Sequence, residues 1–245
     1  MLKKIYYRLP RLLQDYVNKA AAKVSNNSID EFIYSDIGSK YNLKIRDKKK
    51  IIKRIQKTLG KIDSGTSIDV QIEIGKKILE LNTKEKNFII ECGCFKGAST
   101  VALSIFSKIV GRKLIIYDSF EGLPEDNDNI GDRYYPHLKV TGRYSNGMYK
   151  GTKEEVVENL KNYGELDICI FREGYFKNSL KKHNEKIDLL FLDVDLLEST
   201  KECIINLWNF IVDEAYTFSD DACDMNVVSI WFDNEWWQKN LKCNA

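Results

Sequence analysis

From Asn87 onward, short apolar runs alternate with stretches of helical periodicity, and this alternation constrains the fold more than any other feature of the sequence. The apolar runs cover residues 88–94, 113–119, 167–172, 187–195 and 216–221. Helices are expected between them over about 97–110, 152–163, 176–183 and 197–211. Thr152 and Glu155 form a capping box that opens one of these helices. A final amphipathic helix should carry Val227, Ile230, Trp231, Glu235 and Trp236. Apolar strands alternating with helices predict an α/β, Rossmann-like fold, with a mostly parallel sheet covered by helices on both faces. Right-handed crossovers then bring the C-terminal ends of the strands to one edge, where ligands bind.

Residues 1–86 read as an N-terminal helical extension or cap, and residues 87–245 as the main domain. Leu2, Ile5, Tyr6, Leu9, Leu12, Leu13, Tyr16 and Val17 recur at helical spacing, with Pro10 as a break. Ile51, Ile52, Ile55 and Leu59 mark a second helix, and a third starts near Ser67. A length of 245 residues fits one α/β domain with extra elements. The hydrophobic and charged fractions, 43% and 30%, are those of a soluble globular chain. A formal net charge of only +2 implies no nucleic-acid partner. Lysine and arginine do crowd the N-terminus and residues 44–57. Those basic helices are expected to pack on the domain, cover a ligand site or form a dimer contact, in preference to touching a membrane surface or an anionic carrier. No run is long and apolar enough to span a membrane. Cys92, Cys94, Cys169 and Cys203 lie in apolar runs and read as reduced core residues, which points to the cytoplasm.

Three groups of residues carry chemistry. Glu91-Cys92-Gly93-Cys94-Phe95-Lys96-Gly97-Ala98-Ser99 follows the first strand, and its glycines allow a tight turn and close approach of backbone to a ligand. The next helix aims its N-terminal N–H groups at that ligand. The second strand ends in Asp118-Ser119-Phe120-Glu121-Gly122-Leu123-Pro124, where an acidic residue suits ribose hydroxyls. Together the two motifs favour a nucleoside ligand over simple turns. The third group is Asp193-Val194-Asp195 and Asp220-Asp221, at the ends of the fourth and fifth strands. Four crowded carboxylates raise one another's pKa unless a cation sits among them, and an oxygen-only donor set suits Mg²⁺, Mn²⁺ or Ca²⁺ rather than zinc. With only His137 and His183 in the chain, a general base is expected to be a carboxylate.

Residues from about 87 to 222 resemble the macrocin O-methyltransferase family. The resemblance rests on Glu91-x-Gly93-x-x-x-Gly97, on the run from Asp118 to Pro124, on Gly174-x-Phe176, on Asp193-x-Asp195-Leu196-x-Glu198-Ser199-Thr200, and on Asp220-Asp221. It implies a class I methyltransferase fold and an S-adenosylmethionine-dependent enzyme that methylates a hydroxyl of a sugar or sugar-containing acceptor with the help of a divalent metal. By that resemblance Asp193, Asp220 and Asp221 hold Mg²⁺ or Mn²⁺, and Asp195 is the general base. Glu91, Gly93, Phe95, Gly97, Ser99, Asp118, Ser119, Gly174 and Asp193 line the cofactor site. Leu197 and the run Asp213-Glu214-Ala215 depart from the family pattern, at a tyrosine and a Gly-Gly turn respectively.

Other readings of the Asp-x-Asp motif are a haloacid-dehalogenase-type phosphatase and a nucleotide-sugar transferase. The phosphatase motif normally opens its domain, and the transferase leaves Gly93, Gly97 and Asp118 unexplained. A non-catalytic nucleoside-binding subunit is the non-enzyme reading. The loop over 125–151 is long enough to be a lid, with Tyr134, Tyr135, His137, Arg143 and Tyr144 as candidate contacts to a sugar or phosphate. A homodimer is the expected assembly.

Overall fold

The computed structural model describes residues 28–82, 84–126 and 144–245, together with the backbone of 133–135 and 140–142. The helix expected within residues 1–17 lies outside the described residues. So do His137, Arg143 and the side chains of Tyr134 and Tyr135.

Five parallel strands form the central sheet: β1 (Phe88–Cys92), β2 (Leu114–Asp118), β5 (Cys169–Glu173), β6 (Ile187–Leu192) and β7 (Ile211–Ser219), in the order β5-β2-β1-β6-β7. Their side chains alternate between two cores. Ile89, Leu114, Ile116, Leu189 and Phe191 face one side. Ile90, Cys92, Ile115, Tyr117, Leu190 and Leu192 face the other. This burial on both faces is what the continuous apolar runs encode.

On the first face lie α1 (Ile45–Leu59), α2 (Ile68–Glu80), α3 (Ala98–Val110) and α4 (Lys153–Tyr163). Helix α1 turns Ile51, Ile52 and Ile55 inward, and α1 and α2 both pack on α3. The second face is covered by α5 (Phe176–Ser179) and α6 (Leu197–Leu207). After β7 come α7 (Met225–Ser229) and α8 (Asn234–Leu241); Ile230, in the turn between them, and Trp237 of α8 pack against Ile204 of α6.

Several expectations need correcting. Strands β1, β2, β6 and β7 end earlier than their apolar runs, because the residues beyond turn away, with Gly93 at φ 83° and Asp195 at φ 61°, whereas β5 is displaced to Cys169–Glu173. Strand β7 begins at Ile211 rather than Tyr216. Its ladder to β6 jumps from Ile187↔Ile211 to Leu189↔Tyr216, and the bulge holds Glu214 at φ 65°. The single C-terminal helix is two helices joined by a 3-10 turn, because the Asp233 carboxylate accepts the Trp236 N–H and starts a new helix. The helices expected over 176–183 and 197–211 likewise end in 3-10 turns at Leu180–Lys182 and Trp208–Phe210. The loop over 125–151 contains an antiparallel hairpin, β3 (Arg133–Tyr135) with β4 (Val140–Gly142). All six cysteines are free; Cys92, Cys94 and Cys203 are buried as expected, whereas Cys169 is half-buried at the start of β5. Among the described residues, no helix is long and apolar enough to cross a membrane.

Candidate active site

The chain runs outward from β1 through β2 to β5, then crosses back to place β6 on the other side of β1. That reversal opens a crevice beyond the C-terminal ends of β1 and β6, the usual ligand position in such sheets. The loop after β1 enters the crevice with Gly93, Phe95 and Gly97 all at positive φ (83°, 48° and 86°). The Gly93 N–H donates to the Tyr117 carbonyl at 2.9 Å, and the Asp193 N–H donates to the Cys92 carbonyl at 3.0 Å, so the loop is stitched to both neighbouring strands. Gly97 is the N-cap of α3 and contributes no capping side chain. The first turn of a 13-residue helix is therefore open toward the crevice, where its dipole favours an anionic group.

Asp118 ties the β1 and β2 loops together. Its carboxylate accepts the Cys94 and Phe120 N–H groups, each at 2.7 Å. Each oxygen keeps a further acceptor position for a ligand hydroxyl. Ser119 is used locally: its hydroxyl donates to the Gly122 carbonyl at 2.9 Å and accepts the Glu121 N–H at 3.0 Å. Gly174 closes the same corner, its N–H donating to the Asp118 carbonyl at 2.9 Å.

Glu91, on β1, is 0% exposed. Its Oε1 accepts the Ser99 hydroxyl at 2.6 Å. Its Oε2 has no partner in bonding geometry, although the Thr100 hydroxyl stands nearby. Burial pushes its pKa up to about 8, with the Ser99 hydrogen bond opposing the shift. A buried carboxyl with an orphaned oxygen is costly unless a ligand satisfies it, and a cationic ligand group does so best.

This shift has a consequence for the ligand-free protein. Below pH 4.5 the Glu91 carboxyl is protonated whether the chain is folded or not, and up to about 8 only the folded chain keeps the proton. Stability from this group is therefore complete at low pH and declines as pH rises toward about 8, by at most about 1.4 kcal/mol per pH unit. Thermal melts of the ligand-free protein from about pH 5 to about pH 8 should show Glu91→Gln losing less stability than wild type. Parallel curves would mean that Glu91 is ionised in the folded chain.

The acidic group assembles where β6 and β7 end side by side, Leu192 opposite Ser219. Asp221 Oδ2 accepts the N–H groups of both Val194 and Asp195 at 2.9 Å, which locks one strand end to the other. Asp195 sits at φ 61°, a backbone state uncommon outside glycine, asparagine and aspartate. Burial first, then Asp221, Asp220, Asp195 and Glu91, hold the half-buried Asp193 well above the usual carboxylate range. Asp221 is pushed up to about 6, again chiefly by burial, and Asp220 is raised for the same reason. The donor chemistry is that of a hard cation site, and it carries surplus negative charge. The spacing is not that of a closed cage: among the described residues, no three acidic, histidine or cysteine groups already stand in metal-binding array.

Two residues on this cluster come from distant segments. Thr66, 4% exposed, donates its hydroxyl to Asp193 Oδ2 at 3.3 Å from the turn between α1 and α2. Tyr144 hydrogen-bonds the Asp195 side chain, and its ring continues through Tyr149 to Phe95 at centroid separations of 6.1 and 5.8 Å. Tyr144 is thus placed on Asp195, whereas the sequence suggested only a general contact to a sugar or phosphate. Lys96 pairs with Asp63 at 2.7 Å, joining the β1 loop to the segment that carries Thr66. A polar turn gave no signal for Thr66.

A five-stranded all-parallel sheet in the order β5-β2-β1-β6-β7, with helices on both faces, is the α/β fold of the class I methyltransferases. The model of the macrocin O-methyltransferase (TylF) family matches residues 80–241, and the chain belongs to that family. It is accordingly an S-adenosylmethionine-dependent O-methyltransferase. The fold is shared with the solved O-methyltransferase NovP, at 20% identity and TM-score 0.52, with 80% of this chain and 73% of that one covered. It is shared also with the calicheamicin methyltransferase CalS11, at 16% identity and TM-score 0.50, with 80% of this chain and 84% of that one covered. No curated protein matches the chain.

Proposed function

We propose that the enzyme methylates a hydroxyl of a sugar or sugar-containing acceptor, with Asp195 as general base and a divalent cation held by Asp193, Asp220 and Asp221. The observation that carries this reading is the hydrogen bonding of Asp221 to the backbone of Val194 and Asp195. It ties the end of β6, with Asp193 and Asp195, to the end of β7, with Asp220 and Asp221, which supports a shared role for these carboxylates as cation ligands and proton acceptor.

S-adenosylmethionine supplies an activated methyl group, so the protein's task is to hold it and deliver an oxygen in line. The orphaned Glu91 oxygen suits the ammonium of the methionine portion, the open first turn of α3 its carboxylate, and Asp118 the ribose hydroxyls. Phe95, Gly93, Gly97, Ser99, Ser119 and Gly174 shape the same cradle. A cation among Asp193, Asp220 and Asp221 would lower the pKa of the acceptor hydroxyl. Asp195 would take the hydroxyl proton. Tyr144, bonded to Asp195, fixes the direction in which that carboxylate faces. Thr66, whose hydroxyl donates to Asp193, brings the turn between α1 and α2 up to the same cluster.

The test is calorimetric titration with S-adenosylhomocysteine, with and without Mg²⁺, followed by a screen of sugar acceptors. Micromolar binding is expected. Treatment with EDTA should abolish turnover and Mg²⁺ should restore it. Full turnover in EDTA would remove the metal from the proposal, and absence of homocysteine-ligand binding would remove the cradle assignment.

A further inference from the structure

Helix α1 has two faces of opposite character. Lys48, Ile51, Ile52, Ile55 and Thr58 are buried against the domain. Arg46, Lys49, Lys50, Lys53 and Lys57 are exposed, and at 3.6 residues per turn they fall within an arc of about 100° on the opposite side. The stripe runs roughly 16 Å along the helix. Its charge is hardly neutralised. Arg46 meets Asp47 at 3.9 Å, and Lys49, Lys50, Lys53 and Lys57 form no ion pair with any described carboxylate. Lys49 and Lys57 lie over the rings of Tyr34 and Tyr163 instead.

One end of the stripe is apolar. Tyr34 is 62% exposed and Ile45 49% exposed. Lys49 Nζ sits 5.7 Å from the centre of the Tyr34 ring, and Ile45 lies one turn before Lys49, so the three make one continuous patch. The segment bearing Tyr34 is fastened to α1 by the Lys48 ammonium, which donates to the Ser35 carbonyl at 2.5 Å.

We propose that this outer face of α1, with Tyr34 and Ile45, docks the enzyme peripherally on an anionic lipid surface. A flat row of lysines matches a plane of negative headgroups. The aromatic and aliphatic side chains at its end gain from the interfacial layer of a bilayer, and gain nothing from a soluble polyanion. The turn that follows α1 carries Thr66, which hydrogen-bonds Asp193, so α1 is joined directly to the acidic cluster. The inference is independent of the acceptor's identity.

Co-sedimentation of the full chain with vesicles tests it. Binding is expected to vesicles of phosphatidylcholine with phosphatidylglycerol, to weaken as salt is raised, and to be absent with phosphatidylcholine alone. Each cation near such a surface strengthens binding roughly fivefold. The combined variant Lys49→Gln, Lys50→Gln, Lys53→Gln should therefore bind about 100-fold more weakly, with melting temperature and S-adenosylhomocysteine affinity unchanged. Three results would each overturn the proposal: no binding to the anionic vesicles, binding by the triple variant equal to wild type, or retention by soluble dextran sulfate without vesicle binding.

Discussion

Asp195→Asn should lower methyl transfer by about 10²–10⁴-fold, the usual contribution of a positioned general base, and leave S-adenosylhomocysteine affinity and melting temperature at wild-type values. The substitution is gentle on structure for identifiable reasons. Asparagine, like aspartate, tolerates the φ of 61° that this position requires. The backbone N–H that donates to Asp221 Oδ2 is untouched. The side-chain oxygen still accepts from Tyr144. What disappears is the capacity to take a proton. Initial rates with an acceptor from the sugar screen, set beside calorimetry with the homocysteine ligand, separate these effects. Turnover near wild type would assign the proton to another group. Loss of ligand binding would mean that Asp195 shapes the cradle rather than the chemistry.

The parts of the fold that were legible in the sequence are those whose physics is local. A strand buried on both faces must be predominantly apolar, and β1, β2 and β6 are, with Glu91, Asp118 and Asp188 as their single charged residues, so their existence and order follow from runs such as Phe88-Ile89-Ile90 and Leu189-Leu190-Phe191-Leu192. Parallel strands with right-handed crossovers then bring residues 93, 118, 193 and 220 to one edge without further information. Features that depend on distant contacts were not legible. Thr66 meets Asp193 across 127 positions of sequence, and Tyr144 reaches Asp195 from the far end of a long polar loop. The break at Asp233 escaped notice because the apolar spacing of Val227, Ile230, Trp231 and Trp236 continues through it, while the decisive event is one side-chain cap. The early start of β7 was hidden for a related reason: the helical pattern from residue 197 runs on to Ile211, and the polar Asp213-Glu214, which form a bulge, separate Ile211 from the apolar run at 216, but Ile211 already pairs with β6.

Gly93→Ala should be the most damaging single-methyl substitution in the cradle, costing about 3 kcal/mol or more and abolishing cofactor binding. A Cβ at this position would lie 1.8 Å from the Asp193 carbonyl oxygen and 2.9 Å from its carbonyl carbon, at φ +83°. Both obstacles are backbone atoms, held by the β1–β6 ladder and by the hydrogen bond from the Asp193 N–H to the Cys92 carbonyl. Relief therefore requires the two strand ends to part, which moves Asp193 away from Glu91 and Asp221. Gly97→Ala provides the internal comparison. Its φ of +86° imposes a similar backbone penalty of roughly 1–2 kcal/mol, but its Cβ would meet Val156 Cγ1 at 3.0 Å, a side-chain contact that a small shift of α4 relieves, where Gly93 meets fixed backbone. Urea unfolding should rank wild type above Gly97→Ala and Gly97→Ala above Gly93→Ala. Equal losses in the two variants would show that backbone conformation alone governs the turn. A wild-type profile for Gly93→Ala would show that β1 and β6 do not approach as closely in solution, and the placement of Asp193 at the cradle would fall with that contact.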